Sequence, residues 1–215
     1  MNIVICLPGK TFHSDTLRSI IELNYWGMEK RVDLSYAFAY NPNIYYVRNM
    51  CLGGDVKKGA RQIPYDGKIK YDYMLWVDSD ISFKPQHVEK LISSNKDITS
   101  GLYRMSDTIN FATVEKWDTE FFKENGYFKF MTMDDIKDKT ELIEVDYTGF
   151  GFMLVKAGVF ESLDYPWFRP IEHKIGDMVE FASEDVSWCN IIKEKGYKIY
   201  VDPIVVVNHI KDIKL

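Results

Sequence analysis

YMLWVDSDISF, residues 73–83, decides how this chain is read: an apolar run ends on two carboxylates with one small residue between them. Tyr73 to Val77 has the aromatic and β-branched composition of a buried strand. Like charges at its end repel, so placing Asp78 and Asp80 there gains nothing unless a partner offsets them, as a divalent cation would. D-x-D alone is weak evidence, because Asp also serves turns and helix caps, and a helix-like KPQHVEKL follows. Its place directly after a buried strand favours the site. Two hard oxygen donors on a strand-to-loop turn suit Mg²⁺ or Mn²⁺, with water and substrate phosphate completing the shell.

Outward from this stretch, strand-like and helix-like segments alternate. NIVICL (2–7) reads as a buried strand, SDTLRSIIELNYWG (14–27) as a helix capped by Ser14 and stopped by Gly27, and VDLSYAFAY (32–40) as a second strand. Segment 45–61 leans to helix, and KPQHVEKLISSN (84–95) is a helix with Pro85 near its start. Beyond residue 97, DITSGLYRM, FATVEKW, GYFKFMTM and ELIEVDYTGFGFMLV read as shorter strands. SEDVSWCNIIKEKG then forms a helix, and YKIYVD and PIVVVNHI form two last strands. The expectation is an α/β fold: one domain with an open mixed β-sheet flanked by helices, parallel first and partly antiparallel later. Ligands of such sheets lie beyond the carboxyl ends of the strands, where Asp78 and Asp80 fall.

The 215 residues are 46 % hydrophobic and 15 % aromatic, ample for a packed core. A formal charge of −5 from interspersed signs, with no basic stripe, argues against nucleic acid as a general partner. Cys6, Cys51 and Cys189 are too few and too scattered for a disulfide framework or a C-x-x-C zinc site. MNIVICLPGKTF is not a signal peptide, and no run approaches the roughly 20 apolar residues of a transmembrane segment. A cytoplasmic location is expected.

WVDSDISFKP is preceded by VRNM (47–50) and followed by GLYRM (101–105), TGFGFMLVKAGVFESL (148–163), SEDVSWCNIIKEKGYKIYVDP (183–203) and NHI (208–210). In this order the motifs resemble the GT-A class of nucleotide-sugar glycosyltransferases. The resemblance implies a Rossmann-like GT-A domain over 1–215, with a nucleotide-binding half (1–103) and an acceptor-binding half (104–215). A compact chain rich in Lys, Ile, Tyr and Asn would suit a virus, and so a host cytoplasm, or an AT-rich bacterium. The resemblance further implies that Asp80 binds the metal directly, that Asp78 reaches the donor ribose or the metal through water, and that His209 is another metal ligand. Imidazole is softer than oxygen and leans the choice to Mn²⁺ over Mg²⁺.

By the same resemblance Pro8, Gly9 and Lys10 cradle the nucleotide, and Arg48 with Asn49 approaches the base or the donor sugar. An ordinary β-to-α turn and a helix-surface ion pair are the plain alternatives. Lys211 is solvated or meets phosphate. GKT at 9–11 is no P-loop, since the Gly that the pattern needs upstream is Val4. Glu184 and Asp185 match an acidic pair in which Asp185 deprotonates the acceptor hydroxyl and Glu184 holds the site; N-capping by Ser183 and the helix dipole would also explain two acids there. Gly149 and Gly151 let backbone approach a sugar, and Phe150 or Trp167 is placed to stack on a pyranose face.

The expected activity is metal-dependent transfer from a nucleotide sugar, UDP-hexose by the habit of the class, to a hydroxyl of a glycan or glycoprotein acceptor. Alternatives are a nucleotidyltransferase, a phosphatase of the haloacid-dehalogenase type, or a sugar- or metal-binding module. The first would show a Gly- and Arg-rich opening loop, and CLPGKTFHSD offers only Gly9 and Lys10. The second normally carries its D-x-D on the first strand and not deep in the chain.

Overall fold

In the computed structural model, which describes residues 1–211, the apolar runs become strands of one seven-stranded sheet. The first part of the chain contributes β1 (Asn2–Pro8), α1 (Ser14–Lys30), β2 (Asp33–Ala39), α2 (Ile44–Cys51), β3 (Tyr73–Val77), β4 (Ile81–Ser82), α3 (Pro85–Ser93) and β5 (Ile98–Leu102). There follow β6 (Thr113–Val114), α4 (Thr119–Asn125), α5 (Met133–Ile136), β7 (Ile143–Val145), β8 (Tyr147–Thr148) and β9 (Phe152–Lys156). The last elements are β10 (Glu172–Ile175), β11 (Met178–Phe181), α6 (Glu184–Glu194), β12 (Ile199–Val206) and β13 (Asn208–His209).

The sheet order is β2-β1-β3-β9-β5-β12-β7. β2, β1 and β3 run parallel, β9 runs antiparallel between β3 and β5, β12 is parallel to β5, and β7 closes the edge antiparallel. The expected open mixed sheet is therefore met. Every residue of β3 is buried because both faces are covered. Met74 and Trp76 enter a core with Phe150, Phe160, Phe168 and Trp188, whereas Leu75 and Val77 enter another with Phe83, Val88 and Phe152.

Several boundaries differ from the expectation. α1 is capped by His13 rather than Ser14, its Nδ1 accepting from the Asp15 N–H at 3.2 Å, and it runs through Gly27 to Lys30. Gly27 is a packing glycine, not a stop: a Cβ there would stand 2.9 Å from Leu34 Cδ1. The helix expected over 45–61 ends at Cys51. GYFKFMTM forms no strand, and YKIYVD and the first part of PIVVVNHI run together as one strand, β12, while its Asn208 and His209 form the short β13. The register of β12 shifts between Val201 and Val206, which accommodates Pro203 and its missing N–H. The hairpin β10–β11 was not expected at all.

Candidate active site

The turn after β3 is tied to its neighbours through backbone. Asp78 N–H donates to the Gly151 carbonyl at 3.0 Å, and Ile81 N–H donates back to the Asp78 carbonyl at 3.1 Å. The loop after β1 lies against it: His13 N–H donates to the Ser79 carbonyl at 2.9 Å, and a Cβ on Gly9 would sit 3.0 Å from Ser79 Cβ. Pro8 ends β1 and is buried, while Lys10 is exposed with its Nζ 5.7 Å from the Tyr40 ring centroid.

Asp78 belongs to Arg48. Nη1 donates to Oδ1 at 2.7 Å and Nη2 to Oδ2 at 3.2 Å, and Nη2 also reaches Glu184 Oε1 at 3.4 Å. Only 2 % of Arg48 is exposed, and its guanidinium lies 5.5 Å from the Trp76 ring and 5.4 Å from the Phe150 ring. Burial would lower its pKa, but Asp78 and then Glu184 outweigh burial and keep it charged. Arg48 is thus neither a surface ion pair nor free to read a base. Its neighbour Asn49 is also turned inward, donating to the Tyr45 and Phe168 carbonyls at 2.8 and 2.7 Å. The amide pins α2 to the segment before β10 and presents nothing to a nucleotide.

Asp80 points elsewhere. β13 pairs antiparallel with β4 and sets His209 opposite Ile81, so that Nε2 stands 3.1 Å from Asp80 Oδ2. Lys211 Nζ donates to the same oxygen at 2.8 Å. Burial would raise the Asp80 pKa, but the hydrogen bonds from His209 and Lys211 hold it down at about 2. His209 Nδ1 stands 2.7 Å from the Arg104 carbonyl, an acceptor, so Nδ1 carries the proton. With Nδ1 donating to that carbonyl, Nε2 is the nitrogen turned to Asp80, where it donates to the carboxylate or, once the proton is lost, would share a cation with it. The donor set of one carboxylate and one oriented imidazole fits a divalent ion that takes most of its ligands from substrate and water. Among the described residues no group of three or more His, Cys, Asp or Glu side chains is assembled to hold a metal unaided. Asp78, expected beside the ion, is occupied by Arg48. Next to Asp80 a cleft of about 450 Å³ opens between Thr11, Phe12, His13, Ser79 and Lys211.

At the start of α6, Tyr147 O–H donates to Asp185 Oδ2 at 2.9 Å, and Ser183 Oγ donates to Oδ1. Burial and the Asp185 charge push the Tyr147 pKa far up, so it remains a donor. Burial and the charge of Asp185 also raise Glu184, to about 7. Arg48 pulls it the other way but does not offset them, and the charge of Asp78 adds to the rise.

Two expectations for TGFGF are corrected. A Cβ on Gly149 would overlap the Tyr103 hydroxyl, and one on Gly151 would stand 2.7 Å from Tyr103 Cζ; these glycines admit a buried tyrosine ring, whose hydroxyl accepts from Gly151 N–H at 3.1 Å. Phe150 and Trp167 are each 1 % exposed, Phe150 packed edge-on against Trp76, Phe168 and Trp188 and Trp167 against Tyr165, so neither offers a face to a sugar. Tyr103, Tyr147 and the Arg104 carbonyl were not singled out from sequence. GLYRM and the Tyr before TGFGF were the available signals.

The β-α alternation, the reversed strand at mid-sheet and the acidic turn at the carboxyl edge define the class: the chain has the GT-A glycosyltransferase fold. A197 from STIV shares it at 15 % identity and a TM-score of 0.55, covering 100 % of this chain and 99 % of that one. GalNAc-T7, crystallised with UDP, GalNAc and Mn²⁺, matches at 13 % identity and a TM-score of 0.55 over 99 % of this chain and 44 % of its own. The catalytic domain of Drosophila β1,4-galactosyltransferase 7, in complex with xylobiose, matches at 11 % identity and 0.52 over 98 % and 71 %. No protein-family model matches the chain, and no curated protein matches it in sequence. Among the described residues no helix is long and apolar enough to cross a membrane.

Proposed function

We propose that this chain is a metal-dependent glycosyltransferase that moves a hexose from a UDP-sugar to a hydroxyl of a glycan or glycoprotein. The observation that carries the proposal is the Asp80–His209 pair, 3.1 Å apart with Nδ1 committed to a carbonyl, beside Lys211 and the cleft at the carboxyl edge of the sheet. Asp80 and His209 would hold Mn²⁺, which when bound neutralises the charge that develops on the departing diphosphate. Lys211 adds a cation for the same phosphates. Asp78, fixed in orientation by Arg48, accepts from a donor ribose hydroxyl. On the acceptor side Asp185 takes the proton as the attacking oxygen bonds to the anomeric carbon and the bond to the diphosphate breaks. Tyr147 and Ser183 orient that carboxylate, and Glu184, largely protonated below pH 7, donates to the acceptor. In-line attack with Asp185 as base inverts the anomeric centre.

A phosphatase would need the first Asp of the pair as a nucleophile, and both oxygens of Asp78 are held by Arg48. Incubation with Mn²⁺ and UDP-glucose or UDP-galactose is expected to release UDP slowly, and a phosphomonoester to release no phosphate. Asp185→Asn is expected to leave UDP binding intact and to lower transfer to a hydroxyl acceptor by about 10²–10⁴. No UDP release from either donor, together with UDP affinity indifferent to Mn²⁺, contradicts the proposal.

A further inference from the structure

Two side chains converge on one oxygen of Asp80, and they are held differently. His209 is fixed: Nδ1 stands 2.7 Å from the Arg104 carbonyl, the ring meets Tyr103 edge-on with centroids 5.3 Å apart, and only 16 % of the side chain is exposed. Lys211 reaches Oδ2 from just beyond β13, where Ile210 N–H donates to the Asp80 carbonyl at 2.7 Å. That bond anchors the backbone beside the turn and leaves the four-carbon stem free to swing. The side chain is 47 % exposed and lines the cleft, so the ammonium can exchange Oδ2 for another anion there without moving the sheet.

Charge decides what can draw it away. Among the described residues Asp80 is the only carboxylate lining the cleft, and the charge of Asp78 beside it is already met by Arg48 at 2.7 Å. A divalent ion that arrives alone therefore shares one carboxylate with the Lys211 ammonium, and the two must stand close as like charges or the ammonium must give up its partner to water. A nucleoside diphosphate removes the conflict. Its oxygens neutralise the ion and accept from the ammonium, so Lys211 changes partner and stays paired. With no group of three or more His, Cys, Asp or Glu assembled among the described residues, the ion depends on such oxygens to fill its shell as well.

We propose, on the transferase reading above, that the cleft takes a divalent cation and a nucleoside diphosphate as a pair, and that Lys211 couples them by holding Asp80 Oδ2 against an unaccompanied cation and passing to the phosphates when both arrive. The consequence is opposite in sign to that of a lysine which only meets phosphate. Losing such a lysine weakens nucleotide binding and leaves the bare ion unaffected. Losing one that also competes for Asp80 makes the bare ion bind better, and by linkage the ion and the nucleotide then strengthen each other less. His209, anchored on its far side, stays in place throughout.

Mn²⁺ binding to the whole chain is read from the electron paramagnetic resonance of the free ion, and UDP binding by calorimetry in excess Mn²⁺. Lys211→Gln is expected to bind Mn²⁺ without nucleotide about three- to tenfold tighter than the parent, and UDP in Mn²⁺ about tenfold more weakly, with circular dichroism unchanged. Lys211→Arg keeps the charge and is expected to bind Mn²⁺ alone as the parent does. A Lys211→Gln chain that binds Mn²⁺ alone no tighter than the parent overturns the coupling, as does one whose UDP affinity in Mn²⁺ is undiminished. Asp80→Ala tells the two failures apart. If it abolishes Mn²⁺-dependent UDP binding while Lys211→Gln leaves Mn²⁺ alone unchanged, only the coupling falls; if that binding survives Asp80→Ala, the metal site and the transferase reading fall with it.

Discussion

The two carboxylates of the D-x-D turn are almost equally exposed, 31 % for Asp78 and 35 % for Asp80, yet their surroundings differ. Asp78 is held by an arginine that is 2 % exposed and lies on two aromatic rings. Asp80 is held by His209 at 16 % and Lys211 at 47 % exposure. Removing the partner of a buried cation strands a charge in a low dielectric, whereas an exposed lysine exchanges partners at little cost. The first carboxylate therefore serves architecture and orientation, and the second is free to trade its partners for a ligand.

That contrast can be broken by mutation. Asp80→Ala is expected to abolish Mn²⁺-dependent UDP binding while thermal stability stays within a few degrees of the parent; calorimetric affinity that survives the change would erase the distinction. Arg48→Leu is expected to do the reverse, lowering unfolding free energy by about 3–5 kcal/mol in a urea titration, because Asp78 and Glu184 lose their shared cation. A stable Arg48→Leu protein would mean that the Asp78 side is not structural. His209→Ala is expected to raise the Mn²⁺ concentration for half-maximal UDP binding at least about tenfold, read by titration at fixed UDP.

The effect that disappears in acid concerns Glu184. Its folded pKa, about 7, stands above its ordinary 4.5, so its contribution to stability is full below pH 4.5 and is lost as pH rises through 7. Glu184→Gln is accordingly expected to match the parent near pH 4 and to be about 3 kcal/mol more stable near pH 8. A stability difference that does not change with pH would place Glu184 as an ordinary ion-pair partner of Arg48.

The acidic turn was legible because a five-residue apolar strand that stops on charge is a local pattern, and the mixed sheet was legible from the succession of such patterns. The destinations of Arg48 and Asn49 were not. Their partners lie 30 and 119 residues away at Asp78 and Phe168, and nothing in helical periodicity encodes such a distance. Phe150 was misjudged for a related reason: flanking glycines suggest an accessible loop until Tyr103, 48 residues earlier than Gly151, is seen to fill the space they leave. Pro203 marked a boundary in sequence, and the bulge that lets β12 continue through it depends on β5 as much as on the proline. The hairpin β10–β11 carries charges at Glu172, Lys174 and Glu180, and its alternation is too short to stand out from a loop.

The reversed position of β9 has a consequence for synthesis. Both lateral neighbours of β5, namely β9 and β12, are encoded after it, and β3 lacks one flank until residues 152–156 have left the ribosome. A nascent chain halted before that point exposes backbone on the very strand that ends in Asp78, so chaperone capture or a ribosome-bound pause should be felt there first.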